Sequence, residues 1–410
     1  MCAPDAAPRR RLVAACLRVL LSGALLAGCA EQPQGQPTLT LRPVGYDALD
    51  GWQDDPASIL LPALLQQCRR LALLPQDASL GGAGAVPQGS RAGDWTPFCL
   101  AVQSVPAGRD DAARQVIAAW LQPYEVSDRG DAQARFTGYF EPEYSGVPNP
   151  DASHAVPVYR RPPDLLTLHP PGAAGAVTGR VSGGRVVPYW TRAQIDAGAL
   201  VGQGLEIAWL ADPVDLFFLQ LQGSGRVRLP DGRLVRLGYA GRNGAPYVPL
   251  GRLLVEQHEL APDAVSMQSI RSWLGVHPAR ARELMERNSN YVFFRNLDNL
   301  RPDQGPPGTL GIGLQPGRSV AVDRAFLPLA APVWVDTVEP NGGPLCRLML
   351  AQDLGTDITG PARADIFFGW GTEAADRAGA MHADGHLVVL LPRPPRNQPG
   401  SRQAGIVLTR

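Results

Sequence analysis

The last third of the chain constrains the fold most. Five apolar runs, "SVAVD", "PVWVDT", "CRLMLAQD", "ADIFFG" and "HLVVLL", follow one another between residues 319 and 391, with glycine or proline in the segments that join them. Each is short, and all but "CRLMLAQD" are rich in β-branched or aromatic residues, the signature of a strand. Three of them end or begin on an aspartate: Asp323, Asp353 and Asp365. A chain of this kind has to build a β-structure that carries acids at its strand edges. With 45 Gly and 40 Pro among 410 residues, short strands and many turns are favoured over long helices.

Upstream the period varies. "DDPASILLPALLQQCRRLALLP" places Leu60, Leu61, Leu64, Leu65, Cys68 and Leu71 on one helical face, with Pro56 suited to the first turn. "DDAARQVIAAWLQPYEV" repeats the pattern with Val116, Ile117, Trp120 and Leu121. From Phe136 the runs become short and extended, in "ARFTGYFEPEYSG" and "VPVYRRP". "DLFFLQLQGSGRVRLPDGRLVRLGYAG" reads as two β-rich arms around Pro230-Asp231-Gly232, a hairpin signal. "SMQSIRSWLGVHPARARELMERN" returns to helix as a pair divided at Gly275 to Pro278, then "YVFFRN" reads as a strand before a Pro/Gly-rich connection from Arg301 to Pro316. The expected fold class is mainly β with a few helices and a β-barrel.

The length allows two domains, and 45% hydrophobic residues allow a proper core. Lys plus Arg equals Asp plus Glu at 38 each, and no basic stripe interleaves with aromatics, so nucleic acid is not an expected partner. Arg9, Arg10 and Arg11 precede an apolar run that ends in Leu26-Ala27-Gly28-Cys29, which resembles a bacterial lipoprotein signal peptide with its lipobox. Residues 1–29 are then a leader, Cys29 the lipidated residue, and the Pro- and Gln-rich residues 30–38 a tether. In this class Ala30, in place of an aspartate after the cysteine, favours the outer membrane and a periplasmic location. In that oxidising compartment Cys68 and Cys99 are expected as a disulfide, and Cys346 as a buried free thiol.

The three aspartates, with Ile358-Thr359-Gly360 between them and "GTEAADRAG" after them, resemble the three-aspartate domain of the membrane-bound lytic murein transglycosylase A (MltA) family. "FTGYFEPEYSG", "LFFLQLQGSGRVRLPDG", "YAGRNGAPYVPLGR", "SMQSIRSWL" and "NYVFFRN" look like that family in the same order. The resemblance implies a double-psi β-barrel from residues 39–141 and 298–410, a second β-barrel inserted at 142–297, and a glycan groove between them. It also implies non-hydrolytic cleavage of the β-1,4 bond between N-acetylmuramic acid and N-acetylglucosamine in peptidoglycan, leaving a 1,6-anhydro end, without metal or organic cofactor. Glycan strands, the outer membrane and cell-wall synthesis or hydrolysis proteins are the implied partners of a monomer.

One acid can suffice for that chemistry. A glycosidase generally pairs two carboxylates. Here the nucleophile is the sugar's own 6-hydroxyl, and tethering replaces the second group with effective molarities on the order of 10⁵ M. The resemblance assigns Asp365 as general acid and then base, and its apolar neighbours Ile366, Phe367, Phe368 and Trp370 suit an acid that has to hold its proton. Asp353 has two readings, a loop cap or a group that orients Asp365, and Asp323 is assigned to holding the loop before "RAFLPL". Tyr139, Gln220, Gln222 and Ser224, with Thr137 bordering the first, stand in motifs that resemble the family's groove-lining segments, which implies sugar binding, while Tyr247 and Trp370 read either as stacking aromatics or as core. Glu141 borders the same stretch and is not assigned as a second acid.

Other signals fail. "QGSGR" lacks the ending of a phosphate-binding loop, Ser224 sits in Gly-Ser-Gly and not in a hydrolase elbow, and Asp384-Gly385 between His382 and His386 reads as a turn, against a helical zinc pair. An aspartic protease needs two Asp-Thr/Ser-Gly signatures, of which Asp336-Thr337-Val338 is a poor copy. A glycan-binding lipoprotein without catalysis is the non-enzymatic alternative.

Overall fold

The computed structural model describes residues 36–168, 177–298, 300–301, 303–355 and 358–393. The leader, Cys29, most of the tether and Asp357 lie outside the described residues. Among the described residues no helix is long and apolar enough to cross a membrane.

The chain is mainly β with some helices. Its largest sheet has eight strands: Leu39–Pro43 (β1), Leu121–Asp128 (β2), Ala134–Glu141 (β3), Ser319–Val322 (β13), Pro332–Val338 (β14), Pro344–Asp353 (β15), Arg363–Trp370 (β16) and His382–Pro392 (β17). A second sheet joins Glu143–Val147 (β4), Val156–Tyr159 (β5), Glu206–Leu210 (β9), Ser224–Arg228 (β10), Leu234–Arg242 (β11) and Val292–Asn296 (β12). A third holds Leu166–Leu168 (β6), Val177–Ser182 (β7) and Arg185–Pro188 (β8).

The eight-stranded order is β1-β2-β17-β14-β15-β13-β16-β3, and β3 also pairs with β17. The pairings therefore return on themselves through β17, β14, β15, β13, β16 and β3. Such closure removes sheet edges and lets one face fill a core. Phe136, Val320, Val333, Trp334, Leu348, Ile366 and Leu390 belong to one hydrophobic core that covers both faces of these strands, since the neighbours Val333 and Trp334 point to opposite sides, and each is essentially without exposure. Full burial of such a side chain is worth about 1.5–3 kcal/mol.

The five C-terminal runs form β13 to β17 as their apolar pattern demands. The segment around Asp384-Gly385 is not a turn, because it pairs with Ala134 and Arg135 of β3 inside one long strand. Gly385 is there for closeness: a Cβ would sit 2.2 Å from the Asp336 carbonyl oxygen of β14. The first arm of the expected hairpin is also different. Pro213–Gln222 is a helix, and only Ser224–Arg228 pairs with Leu234–Arg242. Asp212 caps that helix by accepting from the Val214 amide, Pro213 opens it, and Gly223 at φ 72° ends it. Val214, Leu216, Phe217, Phe218 and Leu219 are buried on several sides while the apolar Leu221 is exposed, so no polar face marks its period.

The N-terminal helices are Leu61–Ala72, Thr96–Val102 and Asp110–Trp120. Pro62, not Pro56, occupies the first turn, since Pro56 precedes a short 3-10 turn at Ala57–Leu60. Cys68 and Cys99 form a disulfide between the first two of these helices. Cys346 is half-buried, not buried, and its thiol donates to Asp336 Oδ1 at 3.2 Å. Burial and the facing Asp336 carboxylate push this thiol up to about 11.

Candidate active site

β13 brings the acids together. It runs parallel to β15 and antiparallel to β16, and Ala321 is the register partner of both Asp353 and Asp365. Two strand spacings separate the two backbones, about 10 Å. β3 flanks β16 on the other side in parallel register, with Thr137 opposite Asp365 and Tyr139 opposite Phe367.

Each acid has partners. The Thr137 hydroxyl donates to Asp365 Oδ1 at 2.7 Å, and Arg363 Nη2 donates to the same Thr137 oxygen at 2.8 Å. Asp353 Oδ1 accepts from the amide and hydroxyl of Thr309 at 3.1 and 2.9 Å, and its Oδ2 accepts from the Tyr139 hydroxyl at 3.3 Å. Burial lifts the Asp353 carboxyl above the ordinary carboxylate range, against the bonds from Thr309 and Tyr139 that favour the anion. Burial and the two nearby aspartates, Asp353 and Asp365, raise the Tyr139 phenol well above its usual value. Tyr139 therefore stays an O–H donor between two acids, its ring 5.2 Å from that of Phe367.

Two cavities adjoin this group. One, of about 270 Å³, is lined by Tyr139, Gln222, Ser224, Tyr239, Arg295 and Asp353 among others. The other, of about 460 Å³, is lined by Thr137, Tyr139, Gln222, Ser266, Gln268 and His382 among others. Tyr139, Phe140 and Gln222 border both cavities; Asp365 lines neither and is linked to the second through its hydrogen bond with Thr137. The walls of the first come from both the eight-stranded and the six-stranded sheets, and those of the second from β3, the start of β17 and the residues around 222, 263–268 and 378. Among the described residues no cluster of His, Cys, Asp and Glu could hold a metal ion.

Of the residues singled out in the sequence, Thr137, Tyr139, Gln222, Ser224 and Asp353 line these cavities. Gln220 does not: it is buried, accepts from Arg192 Nη2 at 2.6 Å and donates to the Val292 carbonyl at 3.1 Å. Gln220 and Gln222 are two apart on a helix and so face different sides. Tyr247 is exposed and lines neither cavity, and Trp370 is covered by the Arg226 guanidinium at 3.9 Å. Asp323 accepts from the Ala325 and Gly360 amides at 2.9 and 2.8 Å, tying two loops.

Several participants carried no sequence signal. Thr309 lies in the aperiodic connection after β12, and Arg363 precedes Asp365 as an unremarkable charge. Glu141 is fully buried between Arg226, at 2.7 Å, and Arg236, at 3.1 Å. Burial raises its carboxyl against the opposing pull of both guanidiniums. Only a long-range pairing of charges could have found this triad, and no local motif encodes one.

Residues 135–295 match the MltA specific insert domain model, and residues 318–391 match the 3D domain model. The chain is 33% identical over 262 residues to a membrane-bound lytic murein transglycosylase A of Vibrio cholerae, covering 61% of this chain and 64% of that one, just under two thirds of its length. It is 32% identical over 286 residues to the Escherichia coli K12 protein of the same name, covering 68% and 70%. The crystal structure of E. coli MltA with bound chitohexaose is similar at TM-score 0.61 and 26% identity, covering 89% of this chain and 98% of that one. The strands that gather Asp353 and Asp365 fall inside the second matched region, those of the facing sheet inside the first, and the chain belongs to the membrane-bound lytic murein transglycosylase A family.

Proposed function

We propose that this protein is a peptidoglycan lytic transglycosylase. It cleaves the β-1,4 bond between N-acetylmuramic acid and N-acetylglucosamine without water and leaves 1,6-anhydromuramic ends, in cell-wall turnover and remodelling. The observation that carries this reading is the Thr137–Asp365 hydrogen bond beside Tyr139 and the two cavities, in a chain of this family. The chitohexaose bound to the E. coli relative supports a glycan strand as ligand.

Asp365 begins protonated and gives its proton to the leaving glycosidic oxygen as the bond to C1 breaks. As a carboxylate it then takes the proton of the 6-hydroxyl, whose oxygen bonds to C1 and closes the anhydro ring. The nucleophile is part of the substrate, so geometry replaces a second carboxylate. Thr137, itself held by Arg363, orients the acid, and Asp353 acts through Tyr139 in support. Thr137, Tyr139, Gln222 and Ser224 contact sugar hydroxyls and acetamides.

We read the closed circuit of six strands as the double-psi barrel of residues 39–141 and 298–410, and residues 142–297 as the inserted barrel domain. The leader with Cys29 and the tether of residues 30–38 place the enzyme as a lipoprotein of the outer membrane facing the periplasm.

The test is mass spectrometry of the products from peptidoglycan incubated with purified residues 30–410. New 1,6-anhydro ends are expected. Free reducing ends would mean hydrolysis, and retained glycan binding without cleavage would mean a binding protein.

A further inference from the structure

Glu141, Arg226 and Arg236 form a charged cluster closed to solvent, at 0%, 1% and 5% exposure. Its partners lie on β3, β10, β11, β16 and the connection that leads to Thr309. Glu141 ends β3, two residues beyond Tyr139, and is the register partner of Trp370, which ends β16 five residues beyond Asp365. Arg226 of β10 donates through Nε to Glu141 Oε2 at 2.7 Å, and through Nη2 to the Gln304 carbonyl at 2.8 Å. Its guanidinium also covers the Trp370 ring. Arg236 of β11 donates through Nη2 to both Glu141 oxygens at 3.1 Å, and through Nη1 to the Arg301 carbonyl at 3.0 Å. The connection that holds Arg301 and Gln304 leads to Thr309, the residue that grips Asp353.

We propose that Glu141 is a positioning residue: through Arg226 and Arg236 it clamps the ends of β3 and β16 and the connection before Thr309 to the six-stranded sheet, fixing Tyr139, Asp365 and Asp353 relative to one another. The clamp rests on the transglycosylase reading for its effect on rate. A carboxylate bonded on both oxygens by two guanidiniums, each of which also holds a backbone carbonyl, is a directional fastener, unlike an apolar contact that tolerates sliding. Buried charge is a poor way to gain stability, and apolar residues of similar volume often serve as well or better. Fixing one arrangement is the role this proposal gives the cluster, since stability alone does not account for it. Misplacement by about 1 Å can cost on the order of 10²-fold in rate.

The experiment compares wild-type residues 30–410, Glu141→Gln, the apolar triple variant Glu141→Leu with Arg226→Met and Arg236→Met, and Arg228→Ala, an exposed arginine paired with the partly buried Glu143. Two readouts are taken below the melting temperature of each: kcat and KM on soluble glycan strands, and hydrogen exchange of residues 303–310 and 137–141. Glu141→Gln is expected to exchange faster in both segments and to lose about 10- to 100-fold in kcat, with KM within about twofold. If it fails to fold, the triple variant is expected to fold and show the same rate loss. Arg228→Ala is expected to match wild type. Wild-type exchange in Glu141→Gln, or wild-type kcat in a folded triple variant, would overturn the clamp. Faster exchange in variants of a wild type that releases no anhydro ends would overturn the transglycosylase reading, and with it any role of the clamp in rate.

Discussion

The hydroxyl of Thr137 lies 2.7 Å from Oδ1 of Asp365, across two parallel strands and 228 residues of sequence. Arg363 binds the same hydroxyl from the other side, so the Thr137 proton points at the acid. A hydrogen bond to a charged group is worth roughly 1.5–3 kcal/mol, or about 10- to 100-fold in rate where it strengthens as the acid gives up its proton. Thr137→Val is expected to lower kcat by at least about tenfold, and Thr137→Ser to restore most of it. Initial rates of anhydro-end release check this; a Val variant as fast as wild type would leave the bond without a catalytic part.

Gly138 sits between the two β3 residues that serve the site. A Cβ there would lie 2.7 Å from Phe368 Cε2 and 2.8 Å from Ala378 Cα, in the helix Gly371–Ala380 that packs on the strand. Gly138→Ala is expected to cost about 1–3 kcal/mol and to lower kcat by shifting Thr137 and Tyr139 together. Urea midpoints with matched rate measurements test it, and an unchanged midpoint would contradict the packing described.

Burial holds the folded Asp353 carboxyl above the ordinary carboxylate range. The folded protein therefore binds more protons than the unfolded chain from about pH 4, the unfolded carboxylate value, up to the folded one. Stability from this group is complete below about pH 4 and is lost as pH rises through the folded value. Asp353→Asn removes the titration, so its stability relative to wild type should increase with pH above about 4. Unfolding midpoints of both proteins at several pH values show whether the difference grows, and a difference flat with pH would refute the shift.

The Cys68–Cys99 disulfide closes a sequence separation of 31. Loop-closure entropy for that length gives about 3–4 kcal/mol of stabilisation. Reductant, or a Cys68→Ser and Cys99→Ser double variant, should lower the unfolding midpoint accordingly. Activity should persist at temperatures where the variant is folded, because neither cysteine lines the two cavities.

Legibility in the sequence followed periodicity. The runs that became β13 to β17 and the helix pair at Met267–Val276 and Pro278–Arg287 were readable because one face or one period dominates each. The helix Pro213–Gln222 reads as a strand because Leu216, Phe217, Phe218 and Leu219 are buried on several sides and share composition with strands. Asp384-Gly385 was misread because glycine there answers a backbone contact with Asp336 and not a turn. At the site, Asp353, Asp365, Thr137, Tyr139, Gln222 and Ser224 could be named from motifs that resemble the family. Thr309, Arg363 and the Glu141 triad could not, since their partners come from strands and connections that only the folded chain brings together.

The most direct measurement is the turnover of Asp365→Asn on purified glycan strands beside its glycan affinity and melting temperature. Loss of the proton donor should cut turnover by at least about 10²-fold while affinity and folding stay close to wild type. Turnover near the wild-type rate in a folded, glycan-binding variant would contradict the assignment of Asp365 as the acid and base.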